Sequence, residues 1–133
     1  MHIARFSKRV VALLLATVVL AACGSAAAVT RVDASAFATT VADPSIVVLD
    51  VRTPAEFATG HLANAINIDA QGADFDDQIA QLDPTKTYAV YCRSGNRSQA
   101  AVERMSDAGF TNIVELESGI LGWQSAGLPI VNG

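Results

Sequence analysis

Tyr91-Cys92-Arg93-Ser94-Gly95-Asn96-Arg97-Ser98 joins an apolar run, Tyr88 to Tyr91, to a segment with helical spacing, Gln99 to Ala108. The run reads as a strand and the segment as a helix, with Ser98 placed to cap it. A cysteine at such a junction ends a strand, opens a tight polar loop and faces the free amides of a helix N-terminus. Those amides and the positive end of the helix dipole favour an anion and lower a thiol pKa. Arg93 and Arg97 add fixed positive charge beside the sulfur. The loop is suited to holding a reactive thiolate next to an anionic group.

The same strand-then-helix rhythm extends to both sides of this loop. Val29 to Val32 is a short strand, and Asp33 to Ala42 a helix with Asp33 as its cap. Ile46 to Asp50 is a continuous apolar run of the kind found in buried parallel strands. Pro54 to Thr59 fits one or two helical turns, with Thr53 as cap and Gly60 as stop. Ala65 to Ile68 is the next strand, Asp74 to Leu82 the next helix, and Thr87 to Tyr91 the strand that feeds the cysteine. In the helix beyond the loop Ala101, Met105 and Ala108 share one face, and Gly109 ends it. Asn112 to Leu116 is a last strand, and Gly119 to Ala126 a last helix stopped by Gly127. This order predicts an α/β fold, a mostly parallel five-stranded sheet with helices on both faces. Sites in such sheets form at the carboxyl ends of strands, where Cys92 lies.

The N-terminus reads as an address. Arg5, Lys8 and Arg9 precede an uncharged apolar stretch, Val10 to Leu20, and small residues then lead to Cys23. Residues 1–22 therefore look like an export signal, with an apolar run shorter than a spanning helix needs. The site Leu20-Ala21-Ala22-Cys23 resembles the lipobox of bacterial lipoproteins, which implies cleavage before Cys23 and acylation of its sulfur. A simple membrane anchor, or an ordinary signal with an incidental cysteine, are the competing readings. The expected organisation is a signal at 1–22, a lipidated N-terminus and tether at 23–29, and one domain at 30–133. The expected location is extracytoplasmic, held at a membrane of the cell envelope by the N-terminal lipid.

Charge and cysteine content narrow the chemistry. Residues 23–133 hold six basic and thirteen acidic side chains, a formal charge of −7. Such acidity argues against nucleic acid as a partner and against binding anionic lipid by charge. Two arginines so close to Cys92 in an acidic domain serve a site, not a general surface. If Cys23 is acylated, Cys92 is the only remaining thiol, and no intramolecular disulfide can form. The alternatives are a buried, inert cysteine or a Cys23–Cys92 disulfide in an unlipidated protein.

Four stretches in sequence resemble the rhodanese-like domain in its single-domain form, over roughly residues 30 to 131. Val48-Leu49-Asp50-Val51-Arg52 with Glu56-Phe57 is similar to the first signature of that family. Gly60 to Ile68 resembles the second, Cys92 to Ser98 the active-site loop, and Gly119-Ile120 with Gly122-Trp123 the closing segment. The resemblance implies a sulfurtransferase in which Cys92 attacks a small anionic donor such as thiosulfate and becomes a persulfide. A thiophilic acceptor, cyanide in the usual assay or a protein thiol, then removes the outer sulfur. It implies no organic cofactor and no metal. Backbone N–H groups of Arg93, Ser94, Gly95, Asn96, Arg97 and Ser98 would cradle the developing charge. Arg97 would organise the loop and Arg93 would meet the donor at the rim. Here four residues separate Cys92 from Arg97, one fewer than in phosphatases with cysteine nucleophiles. The smaller cradle suits a sulfur atom better than a tetrahedral phosphate.

Other residues have blander readings. Asp50 and Arg52, at a strand end near the loop, are expected to be scaffold, and Trp123 and Phe57 to pack over the core. His61 is expected to be structural, hydrogen-bonded near the next strand, and not a base for Cys92. Asp76, Asp77, Glu115 and Glu117 read as solvated faces. Ser118 stands where the family commonly has the first of two adjacent glycines. A competing class remains: a rhodanese-like sulfur carrier, or a thiol redox-sensing or binding module, that never turns over.

Overall fold

A computed structural model describes residues 28–133. The signal at 1–22, Cys23 and the tether up to residue 27 lie outside the described residues. Five strands form one sheet in the order β1-β5-β4-β2-β3: β1 Ala28–Val32, β2 Val47–Asp50, β3 Ile66–Asn67, β4 Thr87–Tyr91 and β5 Asn112–Leu116. Every strand pairing among the described residues is parallel, and an isolated antiparallel bridge joins His61 to Val131 outside the strands. Ala28, read from the sequence as tether, belongs to β1 together with Val29, the expected strand start that the domain bounds had placed in the tether, and the two pair with Asn112 and Ile113.

The predicted helices are present: α1 Ala34–Val41, α2 Pro54–Thr59, α3 Phe75–Ile79, α4 Asn96–Asp107 and α5 Gly119–Ser125. Local chemistry fixes their starts. The Asp33 carboxylate accepts from the Ala36 amide at 2.9 Å, and Thr53 Oγ1 accepts from the Glu56 amide at 3.2 Å, ahead of Pro54 at the first position. Strand alternation distributes the core to both faces. Tyr88 and Val90 pack with Leu49, Ile113, Phe75, Ala101 and Met105 under α3 and α4. Ala89 and Tyr91 pack with Val48, Leu116, Phe37, Ile120 and Trp123 under α1 and α5. Trp123 is buried as expected and donates its Nε1–H to the Pro129 carbonyl at 2.9 Å. Phe57 is only half-buried and stacks on the His61 ring, with centroids 3.7 Å apart. Its helix, α2, buries no residue fully, so that ring has no core to enter.

The strand order places a switch point between β2 and β4. The chain leaves β2 outward to β3 and leaves β4 in the opposite direction to β5, so the carboxyl ends of β2 and β4 open a crevice. Asp50 and Arg52 sit at the β2 side of it, and both are buried. Arg52 Nη2 donates to Asp50 Oδ2 at 2.6 Å and to the Gly60 carbonyl at 2.7 Å, tying the end of β2 to the end of α2. Asn67 Nδ2 adds bonds to the carbonyls of Asp50 and Arg52. A buried pair contributes little over an apolar one, but removing one partner strands a charge. Asp50→Ala is therefore expected to cost about 3–5 kcal/mol of unfolding free energy. Urea denaturation checks this, and a loss below about 1 kcal/mol, the range of an exposed pair, contradicts it.

Candidate active site

Cys92 directly follows β4 on the face covered by α4, and it is 1% exposed. The chain then turns back within three residues. Gly95 makes that possible with φ +96°, a conformation costly for any residue with a Cβ, and a Cβ there would collide with the Glu117 carbonyl. The helix consequently starts at Asn96, three residues before the expected start at Gln99, with Gly95 and not Ser98 at the cap position. Ser98 is no cap. It lies in the first turn, fully buried, with its hydroxyl toward the sulfur.

The Gly95 amide donates to Cys92 Sγ at 3.1 Å, and the Ser98 Oγ stands 3.4 Å from the sulfur. Burial pushes the Cys92 thiol up, but the Ser98 hydroxyl and the amides of Ser98, Gly95 and Ser94 outweigh it and leave the thiol below its ordinary value. A second helix terminus supports the loop from behind. The Ile120 and Leu121 amides at the start of α5 donate to the Cys92 and Arg93 carbonyls at 2.9 and 3.1 Å. Gly119 has φ +61°, and a Cβ on it would strike the Arg93 backbone. Ser118 has φ −92°, an ordinary value for an L-residue, so its place beside Gly119 costs the turn nothing.

Arg97 is half-buried and locked. Its two Nη atoms donate to the two Glu56 oxygens at 2.7 and 2.8 Å, joining α4 to α2 across the crevice. The Arg93 side chain is exposed and makes no ion pair or hydrogen bond among the described residues. Ser94 and Asn96 are likewise exposed on the rim. His61 has a ring nitrogen 3.0 Å from the Phe57 carbonyl at the end of α2. The sulfur's described hydrogen bonds involve Gly95 and Ser98 only.

A second sequence reading is overturned, after that of Ser98. Glu115 is not on a solvated face but 1% exposed, because β5 is an interior strand covered there by α4. It accepts from Arg31 Nε at 2.9 Å and from Ser98 Oγ at 2.7 Å, so it stands one hydroxyl away from Cys92. A charge inside the apolar run Asn112 to Leu116 was the one available signal, since a carboxylate within a central strand needs a partner. The paired roles of Arg31 and Glu56 went unread for a simpler reason: contacts between distant segments leave no local pattern.

The model of the rhodanese-like domain family matches residues 33–126 of this chain. The chain belongs to that family. A rhodanese-related protein of Thermoplasma volcanium superposes with a TM-score of 0.70 at 38% identity, covering 78% of this chain and 99% of that one. A protein named sulfurtransferase from Allochromatium vinosum is 32% identical over 104 residues, 77% of this chain and 95% of its own length. An uncharacterized Synechocystis protein is 37% identical over 87 residues, 65% of this chain but 48% of that protein, so the chain spans about half of that relative. This rhodanese-like domain is a five-stranded α/β unit with its cysteine loop at the switch point.

The Arg97–Glu56 clamp makes a pH-dependent contribution. Hydrogen bonds from Arg97 hold the Glu56 carboxyl well below its ordinary 4.5, at about 2, against a smaller opposing effect of burial. A depressed carboxylate stabilises the fold fully above its unfolded value and loses that contribution as pH falls toward the folded one. Glu56→Gln is expected to destabilise by about 1 kcal/mol at neutral pH, with the gap to the unsubstituted chain closing between about pH 5 and pH 2. Urea midpoints of both proteins across that range check it. A gap that stays constant contradicts the assignment.

Proposed function

We propose that this rhodanese-like domain is a sulfurtransferase that moves sulfane sulfur from thiosulfate, or a similar small anion, to a thiophilic acceptor through a persulfide on Cys92. The observation that carries the reading is the sulfur's seat: a buried thiol with the Gly95 amide at 3.1 Å, held below its ordinary pKa by the Ser98 hydroxyl and the loop amides. The Cys92 thiolate attacks the outer sulfur of thiosulfate, a new S–S bond forms, and sulfite departs with the electron pair of the broken bond. The acceptor then attacks the outer sulfur and the Cys92 thiolate leaves. Negative charge stays at or next to Sγ throughout, where fixed dipoles stabilise it without reorganising. Exposed, uncommitted Arg93 supplies positive charge for an arriving dianion, whereas Arg97 is spent on Glu56. The near-complete burial of Cys92 favours small donors over bulky ones.

Thiocyanate formation from thiosulfate and cyanide tests this with reduced protein beside its Cys92→Ser variant. The account expects turnover that falls to background in the variant, by three orders of magnitude or more, roughly the loss seen when a covalent nucleophile is removed. Folded, reduced protein without turnover would overturn the catalytic reading and leave the sulfur carrier as its successor.

A further inference from the structure

The Glu115 carboxylate has no part in the chemistry above, yet it is wired to the reacting atom. Its side chain is 2% exposed. One oxygen accepts from Arg31 Nε at 2.9 Å and the other from the Ser98 hydroxyl at 2.7 Å, while that hydroxyl oxygen lies 3.4 Å from Cys92 Sγ. A serine hydroxyl has one hydrogen and gives it to one acceptor at a time. While Ser98 donates to Glu115, it can only accept from the sulfur, which favours the protonated thiol. To support a thiolate, the Ser98 O–H must leave the carboxylate and turn toward Sγ. A carboxylate is a stronger acceptor than a neutral thiol, because a hydrogen bond to it is charge-assisted.

We propose that Glu115, acting through Ser98, is a positioning residue that opposes the amide cradle and limits the acidity of Cys92. When the thiol ionises, its S–H bond breaks and the proton passes to solvent. Ser98 rotates its O–H from Glu115 Oε1 to Sγ with no change in its covalent bonds, and Arg31 alone continues to donate to Glu115. Other charges face the same assembly. Arg31 from β1 and Glu103 and Asp107 from α4 line, with Glu115 from β5, a solvent-open groove of about 490 Å³ along α4. Arg97 from α4, although paired with Glu56, also acts on the sulfur. Thus Arg31 and Arg97 favour the thiolate, and the three carboxylates disfavour it. The consequence is a compromise between two steps. A thiol of lower pKa is a weaker nucleophile for the donor but a better leaving group toward the acceptor, and Glu115 shifts Cys92 toward stronger attack.

This inference rests on Cys92 being the reacting thiol, but not on thiosulfate being its donor. Iodoacetamide alkylation followed on the Cys92 peptide, as a function of pH, reads it without sulfurtransferase turnover. Glu115→Gln keeps the size and removes the charge. The alkylation midpoint is expected to move toward acid by on the order of half to one pH unit. A packing role for Glu115 would loosen the cradle instead, so an unmoved midpoint, or one moved toward alkali, overturns the proposal. If Glu115→Gln alone does not fold, Arg31→Gln is compared with Arg31→Gln/Glu115→Gln, which leaves no unpaired buried charge. The double variant must titrate on the acid side of the single one, and equality or the reverse order overturns the proposal. A chain inactive toward thiosulfate would still give the expected shift, so the two accounts fail separately.

Discussion

The Gly95 amide reaches the Cys92 sulfur at 3.1 Å because the chain reverses through a left-handed turn between a buried strand and a twelve-residue helix. Much of the surrounding structure serves that turn. Gly95 and Gly119, both at positive φ, let the loop and the start of α5 approach each other backbone to backbone. The α5 amides hold the Cys92 and Arg93 carbonyls in place, which leaves the loop's own amides free to face the sulfur. On the other side, Asp50 and Arg52 tie the end of β2 to Gly60, Gly60 ends α2, and α2 presents Glu56 to Arg97. A continuous chain of buried or half-buried contacts thus runs from the sheet through α2 to the cysteine loop.

Two electrostatic demands meet at one sulfur. A buried site strengthens every dipole aimed at it but penalises the charge those dipoles are meant to hold. Amides resolve this at little expense, since they bring partial charge already fixed in direction and already desolvated by the fold. Arginine side chains are divided between the two tasks the site poses. Arg97 is consumed in holding the loop against α2, and Arg93 remains in solvent at the rim. Glu115 adds a counterweight, buried with Arg31 as its partner and linked to the sulfur by a single hydroxyl. Acidity of the thiol is then set by a balance of opposing neighbours, not by one activating base.

Most of the fold was legible because it is written in local patterns. The apolar runs at β2 and β4, the Thr53-Pro54 start of α2 and the Asp33 cap of α1 each state their structure within a few residues. The cysteine between strand and helix identified the site for the same reason. What was misread depends on contacts distant in sequence or on tight geometry. Ser98 resembles a cap by type, but the φ of Gly95 starts α4 earlier and turns that hydroxyl inward. Glu115 resembles a solvated strand residue until β1 is laid beside β5, which brings Arg31 to its register position. Ala108 shares a face with Ala101 and Met105 by spacing, but α4 ends at Asp107 and leaves Ala108 exposed. α3 likewise runs only from Phe75 to Ile79, with both of those residues buried, and Leu82 packs against the core from beyond its end.

The central claim is that Cys92 carries sulfur covalently, and mass spectrometry of the Cys92 peptide after exposure to thiosulfate tests it most directly. The account predicts a gain of one sulfur atom on that peptide, reversed by cyanide and absent from the Cys92→Ser protein. An unchanged peptide mass in folded, reduced protein would contradict it.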